Sequence, residues 1–109
     1  MIYYIAPEAV DDIDAAVSFY LRVSRSVAVR FVDAVYSAIE LLLRNPYLGA
    51  AIGATFRSFS LQRYPFSLIY QVDRKHRKIM IYAVAHQSRR PGYWCDRVQE
   101  ESASYAVAA

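Results

Sequence analysis

The residues best suited to chemistry lie near the C-terminus of this 109-residue chain, in the run His86-Gln87-Ser88-Arg89-Arg90-Pro91-Gly92-Tyr93-Trp94. Histidine titrates near neutral pH and can transfer a proton. Arginine binds phosphate oxygens through two parallel hydrogen bonds, and tyrosine can stack on a nucleobase. Side chains of these types in one short turn can cleave RNA by directing a 2′-hydroxyl at the adjacent phosphate. His86, Arg89 and Tyr93 are therefore the candidate catalytic residues.

An ordinary structural role is the alternative for each of these side chains. His86 can satisfy a hydrogen bond at a strand end, and nearby arginines can pair with acidic residues. Arg57 and Arg63 lie on or beside a predicted strand, where they either share a surface with His86 or are simple surface charges. Trp94 is expected to anchor the C-terminal segment on a sheet, and Cys95 is expected to be a small buried residue. The aromatic residues expected to be structural, in the core or at the edge of the sheet, are Tyr64, Phe66 and Tyr70.

The positive charge of the chain is concentrated in its second half. Residues 57–97 contain nine basic and two acidic residues, a net charge of +7, whereas residues 1–20 contain four acidic residues and no basic one. A basic half favours nucleic acid or an acidic protein segment as partner, and a solvated basic face is an equal alternative. The residues predicted to bind the target or RNA are Arg57, Arg63, Arg89, Arg90, Tyr93, Trp94 and Arg97.

Composition excludes several classes of protein. At 56% hydrophobic residues the chain is too apolar to be disordered, and its wholly apolar stretches are far shorter than the roughly 20 residues of a membrane span. The N-terminal apolar segment has no basic region before it, so no signal peptide is predicted. A lone cysteine forms no internal disulfide, which favours the cytoplasm. Two histidines and one cysteine match no metal-ligand spacing, so neither metal nor cofactor is expected.

Hydrophobic periodicity predicts the elements that position these residues. Residues 1–5 are mostly β-branched or aromatic, which predicts a short strand. Pro7 suits a first helical turn, where its missing N–H needs no partner. Residues 7–23 then form an amphipathic helix whose apolar side chains recur at helical spacing: Val10, Ile13, Val17, Tyr20 and Leu21.

A second helix follows after a short link. Ser24 or Ser26 can cap its N-terminus. Asn45-Pro46 ends this helix after Leu43, because the residue before a proline disfavours helical backbone. Two helices joined so closely form an αα-hairpin. The next segment, residues 45–54, is predicted to be a loop, although it is unusually apolar.

From Thr55 onward the hydrophobic period changes from helical to alternating, which predicts three strands, over about residues 56–62, 66–72 and 78–85. Short links between successive strands produce an antiparallel meander. The expected fold is therefore α+β with the order β-α-α-β-β-β, in which the αα-hairpin packs on one face of a small antiparallel sheet. The other face of that sheet is left for a partner or for the C-terminal segment.

The C-terminal end is the least constrained part of the chain. Residues 93–101 have the composition of a short helix or tail. Residues 102–109 have little to hold them in place and are predicted to fray. Without internal repeats or a linker, the chain is expected to form one domain over residues 1–101.

Several short motifs occur in a recognisable order along the chain: Ala6-Pro7-Glu8-Ala9, Ala28-Val29-Arg30-Phe31, Leu43-Arg44-Asn45-Pro46, Arg63-Tyr64-Pro65-Phe66, and Ala83-Val84-Ala85-His86 followed by Arg89-Arg90-Pro91-Gly92-Tyr93-Trp94. Over about residues 2–97 this order resembles the RelE/ParE superfamily of type II toxin–antitoxin toxins, often called plasmid stabilisation proteins. The resemblance implies the same β-α-α-β-β-β fold. It also implies a cognate antitoxin whose acidic or amphipathic segment wraps the sheet and the helices.

The superfamily divides by activity. RelE-like members cleave mRNA on the ribosome without a metal, and ParE-like members poison DNA gyrase. Arg89 and Tyr93 occupy positions that resemble the ribonuclease set, and His86 falls where that branch tends to have lysine. Gln87 falls where the ribonucleases tend to have a critical arginine, which favours the other branch. The long αα-hairpin and the loop that begins Asn45-Pro46 also resemble ParE.

Three interpretations follow from the resemblance. The first is a ParE-like toxin that inhibits growth by poisoning DNA gyrase and is neutralised by its antitoxin. The second is a RelE-like, ribosome-dependent mRNA endonuclease that uses His86, Arg89 and Tyr93. The third is a degenerate toxin that keeps only the antitoxin interface. All three place the protein in the cytoplasm with no membrane partner.

Overall fold

A computed structural model describes residues 1–90 and 92–95. Its elements are β1 (Ile2–Ile5), α1 (Pro7–Val23), α2 (Arg25–Arg44), β2 (Ala50–Ile52), β3 (Phe56–Ser60), β4 (Phe66–Asp73) and β5 (Lys78–His86). The predicted α+β class and the β-α-α-β-β-β framework are confirmed, with β2 as an additional strand. The predicted helix over 93–101 runs largely outside the described residues, and the frayed end over 102–109 lies wholly outside them. No helix in the described ranges is long and apolar enough to cross a membrane.

The five strands form one sheet in the order β1-β5-β4-β3-β2. Strands β2 to β5 pair antiparallel, as the predicted meander requires. Strand β1 pairs parallel with β5, with Ile2 opposite Lys78 and Ile5 opposite Ile81, so the sheet is mixed rather than wholly antiparallel. Two helices separate β1 from the meander, and this long connection allows β1 to join the free edge of β5 in the same direction.

Strand β2 lies in the segment that was expected to be a loop. Ala50–Ile52 pair antiparallel with β3, Ala51 lying opposite Arg57. The loop predicted over residues 45–54 is therefore wrong for these three residues. Arg57 of β3 and Tyr70 of β4 both hydrogen-bond Gly49, the residue before this strand. These contacts place β2 beside β3.

Local signals set the limits of both helices. Pro7 is the first residue of α1, and Ser24 caps α2, its Oγ accepting hydrogen bonds from the amides of Ser26 at 3.1 Å and Val27 at 3.4 Å. Helix α2 ends at Arg44, directly before the Asn-Pro pair. These observations select Ser24 over the alternative cap.

The buried face of α1 is narrower than its apolar pattern predicts. Ala9 and Ala16 are fully buried, whereas Val10 is 42% exposed and Leu21 is 53% exposed. Two small side chains bring α1 close to the sheet. The larger apolar side chains at the edges of this face therefore remain partly in solvent.

An aromatic cluster joins the hairpin to the sheet. Phe31 of α2 is completely buried, and its ring lies 5.3 Å from each of the rings of Tyr20, Tyr64 and Phe66. Tyr70 is completely buried as well. The structural role predicted for Tyr64, Phe66 and Tyr70 is confirmed.

Asp12 fastens α1 to the edge of β5 beyond the end of β1. The last pair between β1 and β5 is Ile5 with Ile81, and the amide of Ala6 closes that ladder on the Ile81 carbonyl. Further along β5, the carboxylate of Asp12 accepts a hydrogen bond from the Val84 amide at 3.0 Å. The side chain thus takes the place of a strand partner.

Replacing Asp12 with alanine is expected to lower the free energy of unfolding by about 1–3 kcal/mol, because a partly buried amide loses its acceptor. Asp12→Asn keeps a carbonyl oxygen and should cost less. Urea denaturation followed by circular dichroism measures both changes. Asp14→Ala, which removes an exposed carboxylate from the same helix, is the control. Equal effects of Asp12→Ala and Asp14→Ala would contradict the role given to Asp12.

Candidate functional site

The basic C-terminal segment, residues 86–90 and 92–95, turns over one end of the sheet. The amide of Gln87 donates to the carbonyl of Pro65 at 2.8 Å, which ties the segment to the β3–β4 turn. The amide of Arg89 then donates to the carbonyl of His86 at 3.0 Å. Gly92 has a φ of +78°, a conformation that favours glycine. The segment is therefore a tied turn rather than an extended tail.

His86 makes two hydrogen bonds through one ring nitrogen. Its Nδ1 accepts from the amide of Ser88 at 3.0 Å and lies 2.7 Å from the Ser88 hydroxyl. A backbone N–H is an obligate donor, so Nδ1 carries no proton and the neutral ring holds its proton on Nε2. The ring also packs edge-to-face on Phe66, with the centroids 4.9 Å apart. In this geometry His86 presents a donor and has no free basic nitrogen.

Arg89 and Tyr93 contact each other within the C-terminal segment. The Arg89 guanidinium carbon lies 4.2 Å from the centroid of the Tyr93 ring, a cation–π contact. Both side chains and His86 line one cleft of about 400 Å³ between α1 and the C-terminal segment, with Asp12 and Phe19 on the helix side. The structure therefore brings together the three residues predicted as a possible catalytic set.

Trp94 holds the end of the segment on the sheet face that the helices leave open. It is 6% exposed, its ring lies 5.0 Å from that of Phe56, and it packs in a cluster with Ile69, Ala83 and Ala85. The predicted anchoring role is confirmed. Because Trp94 points into the sheet, the next residue, Cys95, lies on the outside of the turn.

Cys95 is exposed, so the prediction that it is buried is wrong. Arg90 is also exposed and lines a second cleft, on the open sheet face, together with Trp94. Arg97 lies outside the described residues, and its assignment to the target surface stays a prediction.

Arg57 does not join His86. Its guanidinium donates to the carbonyls of Tyr47 at 3.1 Å and Gly49 at 2.8 Å, and lies 4.9 Å from the centroid of the Tyr47 ring. Arg57 pairs with Tyr70 of β4, four residues from the Phe66–His86 pair, which corresponds to roughly 13 Å along the strand. Arg57 therefore holds the loop that follows α2.

Tyr70 holds the same loop through its hydroxyl group. Its hydroxyl donates to the carbonyl of Pro46 at 2.8 Å and accepts from the amide of Gly49 at 2.9 Å. Burial raises the pKa of Tyr70, and the hydrogen bond from Gly49 and the charge of Arg57 partly oppose that rise. Sequence reasoning identified Tyr70 as a core aromatic and missed this polar role. The available signal was a hydroxyl on a residue predicted to be buried, since such a hydroxyl needs partners.

Arg63 opens on a different surface. It is exposed in the β3–β4 turn with a φ of +70°. Together with Arg30 it borders a groove of about 740 Å³ between α2 and the β3 edge, whose apolar lining includes Ala38, Leu41 and Phe59. Of the two alternatives for Arg63, the surface shared with His86 is therefore not formed, because the two residues line different clefts. Sequence reasoning missed the groove itself. The signal for this groove in the sequence was the unusually broad apolar face of α2.

Within residues 1–90 and 92–95, no group of three or more histidine, cysteine, aspartate or glutamate side chains is placed to hold a metal ion. Among the groups that the C-terminal segment presents are two guanidinium groups, aromatic rings and the His86 imidazole. Such groups bind anions or acidic surfaces well.

An αα-hairpin on a small mixed sheet is the fold that the resemblance to the RelE/ParE superfamily implied. The family model described as "ParE toxin of type II toxin-antitoxin system, parDE" matches residues 3–91, and the chain belongs to this family. The resemblance found in the sequence, nearer ParE than RelE, is thereby confirmed.

A solved structure supports the fold. The chain is similar to one titled "Chromosomal ParDE TA system from P. aeruginosa", with a TM-score of 0.66 and 21% identity, covering 78% of this chain and 92% of that chain. At this level of identity the likeness concerns the fold. No curated protein sequence matches the chain.

Proposed function

We propose that this toxin inhibits growth by poisoning DNA gyrase in the cytoplasm, and that a cognate antitoxin neutralises it. Membership of the ParE family supports the class of target. The hydrogen bonds of His86 are the observation that favours gyrase poisoning over RNA cleavage. Its Nδ1 accepts a hydrogen bond from the Ser88 amide, so the neutral ring carries its proton on Nε2. A general base that removes a proton from a 2′-hydroxyl needs a free ring nitrogen.

The C-terminal segment has the features of a binding element. Arg89 and Arg90 are exposed and adjacent, on a turn that Trp94 anchors to the sheet. A tied turn loses little conformational freedom on binding, so its cations are pre-organised for an acidic surface. We assign Arg89 and Arg90 to the gyrase contact, with Tyr93 as the ring that supports Arg89. We assign Arg97 to the same contact because of its charge alone.

The groove beside α2 suits the antitoxin. Its lining is mostly apolar, and the charged residues that border it are Arg30, Arg63 and Asp33. An amphipathic segment whose acidic residues face the two arginines matches this groove. We propose that such a segment of the antitoxin occupies the groove. The part of the antitoxin that follows this segment then blocks the C-terminal segment of the toxin.

Purified toxin, incubated with DNA gyrase, ATP and supercoiled plasmid, is expected to produce cleaved plasmid. Arg89→Ala combined with Arg90→Ala should raise the concentration needed for half-maximal cleavage at least tenfold, about 1.4 kcal/mol of binding free energy. Arg74→Ala combined with Lys75→Ala removes the same charge from the opposite end of β5 and should leave cleavage unchanged. Equal losses in the two double variants would mean that only net charge matters.

Ribosome-dependent cleavage of mRNA remains the second candidate, because His86, Arg89 and Tyr93 line one cleft. It predicts codon-positioned cuts in a translation reaction and none in His86→Ala combined with Arg89→Ala. Cuts by the unmodified chain, without any effect on gyrase, would replace the gyrase proposal with this one. Inactivity in both assays, together with growth unaffected when the antitoxin is absent, would identify a degenerate toxin.

A further inference from the structure

Strand β1 leaves one edge of the sheet open. The amides of Ile2 and Ala6 donate to β5, to the carbonyls of Arg77 at 3.1 Å and Ile81 at 2.9 Å. Backbone groups alternate along a strand, so the N–H and C=O groups of Tyr3 and Ile5 point away from β5. Among the described residues, no strand pairs with β1 on that side.

The open edge lacks the usual protection. Ile2 is 67% exposed, Tyr3 41% and Tyr4 42%, and residues 1–5 contain no charged side chain and no proline. Edge strands of monomeric proteins are normally protected by charged side chains, proline or a covering element. An exposed apolar edge with unpaired backbone groups is a site for the addition of another strand.

The charges at the two ends of β1 indicate which strand that is. Arg77 and Lys78 lie beside its N-terminal end, where Ile2 pairs with Lys78. Asp11, exposed in α1, lies beyond its C-terminal end. A second β1 that runs antiparallel places the basic end of each copy beside the acidic end of the other. The edge is thus complementary to itself about a two-fold axis.

We infer that β1 pairs antiparallel with β1 of a second copy of this chain, which joins the two sheets into one of ten strands. With the two-fold axis at Tyr4, Tyr3 of each copy hydrogen-bonds Ile5 of the other. This register uses all the outward backbone groups of Tyr3 and Ile5. A register centred on Tyr3 would instead pair Ile5 with Met1, which lies outside the strand.

The contact is small, because β1 has only four residues. It buries well under the about 1,200 Å² typical of stable complexes. We therefore expect dissociation constants in the micromolar range or weaker. Sedimentation velocity of the purified chain over a hundredfold range of concentration should show a shift from monomer to dimer. A monomer throughout this range would overturn the inference.

Disulfide trapping tests the register. In a Cys95→Ser background, Tyr4→Cys places two thiols opposite each other at the two-fold axis, where the Cα atoms of a non-hydrogen-bonded pair are about 4.5 Å apart, within reach of a disulfide. Mild oxidation should give covalent dimer. Ile2→Cys in the same background faces Ala6 of the other copy and should cross-link at least tenfold more slowly, although position 2 is the more exposed. Equal rates, or a faster Ile2→Cys variant, would refute this arrangement.

Charge exchange tests the self-complementarity without altering β1. Asp11→Arg alone and Arg77→Glu alone should each weaken self-association about tenfold, because each reversal creates two repulsive contacts in a symmetric dimer. The combined variant should recover most of the loss. Failure of the combined variant to recover, while its circular dichroism matches the unmodified chain, would contradict antiparallel pairing. Gyrase inhibition is read separately, so a failed dimer does not bear on the proposed target.

Discussion

Phe31→Ala is expected to lower the free energy of unfolding by about 3–5 kcal/mol, the cost of emptying a fully buried aromatic site. The Phe31 ring contacts Tyr20 of α1 and both Tyr64 and Phe66 near the start of β4, so it joins the hairpin to the sheet. Its removal leaves a cavity at the meeting point of three elements. Because small domains are stable by only about 5–15 kcal/mol, the variant is expected to be partly unfolded near physiological temperature.

Urea denaturation monitored by circular dichroism measures this loss. Phe19→Ala is the control, since Phe19 is 59% exposed and touches one ring of the same cluster, that of Tyr20. It should cost less than about 1 kcal/mol. Similar losses for both variants would mean that the cluster is not the centre of stability. Phe31→Leu, which keeps most of the volume, should fall between the two.

Gly49→Ala is expected to cost about 2–4 kcal/mol. An added Cβ at Gly49 would lie 2.6 Å from the Tyr70 hydroxyl oxygen, 2.8 Å from Cε1 of that ring and 3.0 Å from the Ser58 carbonyl oxygen. A fully buried ring and a strand carbonyl cannot move cheaply. The substitution therefore displaces the loop and breaks the hydrogen bond between Tyr70 and the Gly49 amide.

Gly53→Ala supplies the matched control. Gly53 has a φ of +59°, and an added Cβ there would meet no atom within 4 Å. Its cost should be limited to backbone conformation, about 1 kcal/mol. Tyr70→Phe should cost about 1–3 kcal/mol, because the Pro46 carbonyl and the Gly49 amide lose their partner. Chemical denaturation of all three variants makes the comparison.

The two substitutions at the Tyr70–Gly49 contact should not be additive. Tyr70→Phe removes the atom nearest to the new methyl group, so the double variant should lose less than the sum of the single losses. Strict additivity would contradict a clash between the added methyl group and the Tyr70 hydroxyl. A loop that shifts also carries the exposed Tyr47 and the edge strand β2, so hydrogen exchange should increase in these segments first.

Local signals in the sequence were sufficient to predict the helices and the composition of the C-terminal segment. Pro7, Ser24 and Asn45-Pro46 set the helix limits because capping and proline effects act between neighbours in the chain. His86, Arg89 and Tyr93 were expected together for the same reason, since one short turn contains them. The alternation of apolar residues was likewise sufficient for the antiparallel meander.

The contacts that these elements make with one another could be read only from the folded chain. The parallel pairing of β1 with β5, the reach of Asp12 to an amide 72 residues away and the capture of Arg57 by the loop after α2 all depend on packing between distant segments. The hydrogen bonds of His86 show the same distinction at a smaller scale. Sequence placed a histidine at a strand end, and Ser88, two residues later, occupies its Nδ1 in a turn that the hydrogen bond from Gln87 to the Pro65 carbonyl ties to the β3–β4 turn. Side-chain type follows from the sequence, whereas the partner available to each polar atom depends on how the whole chain packs.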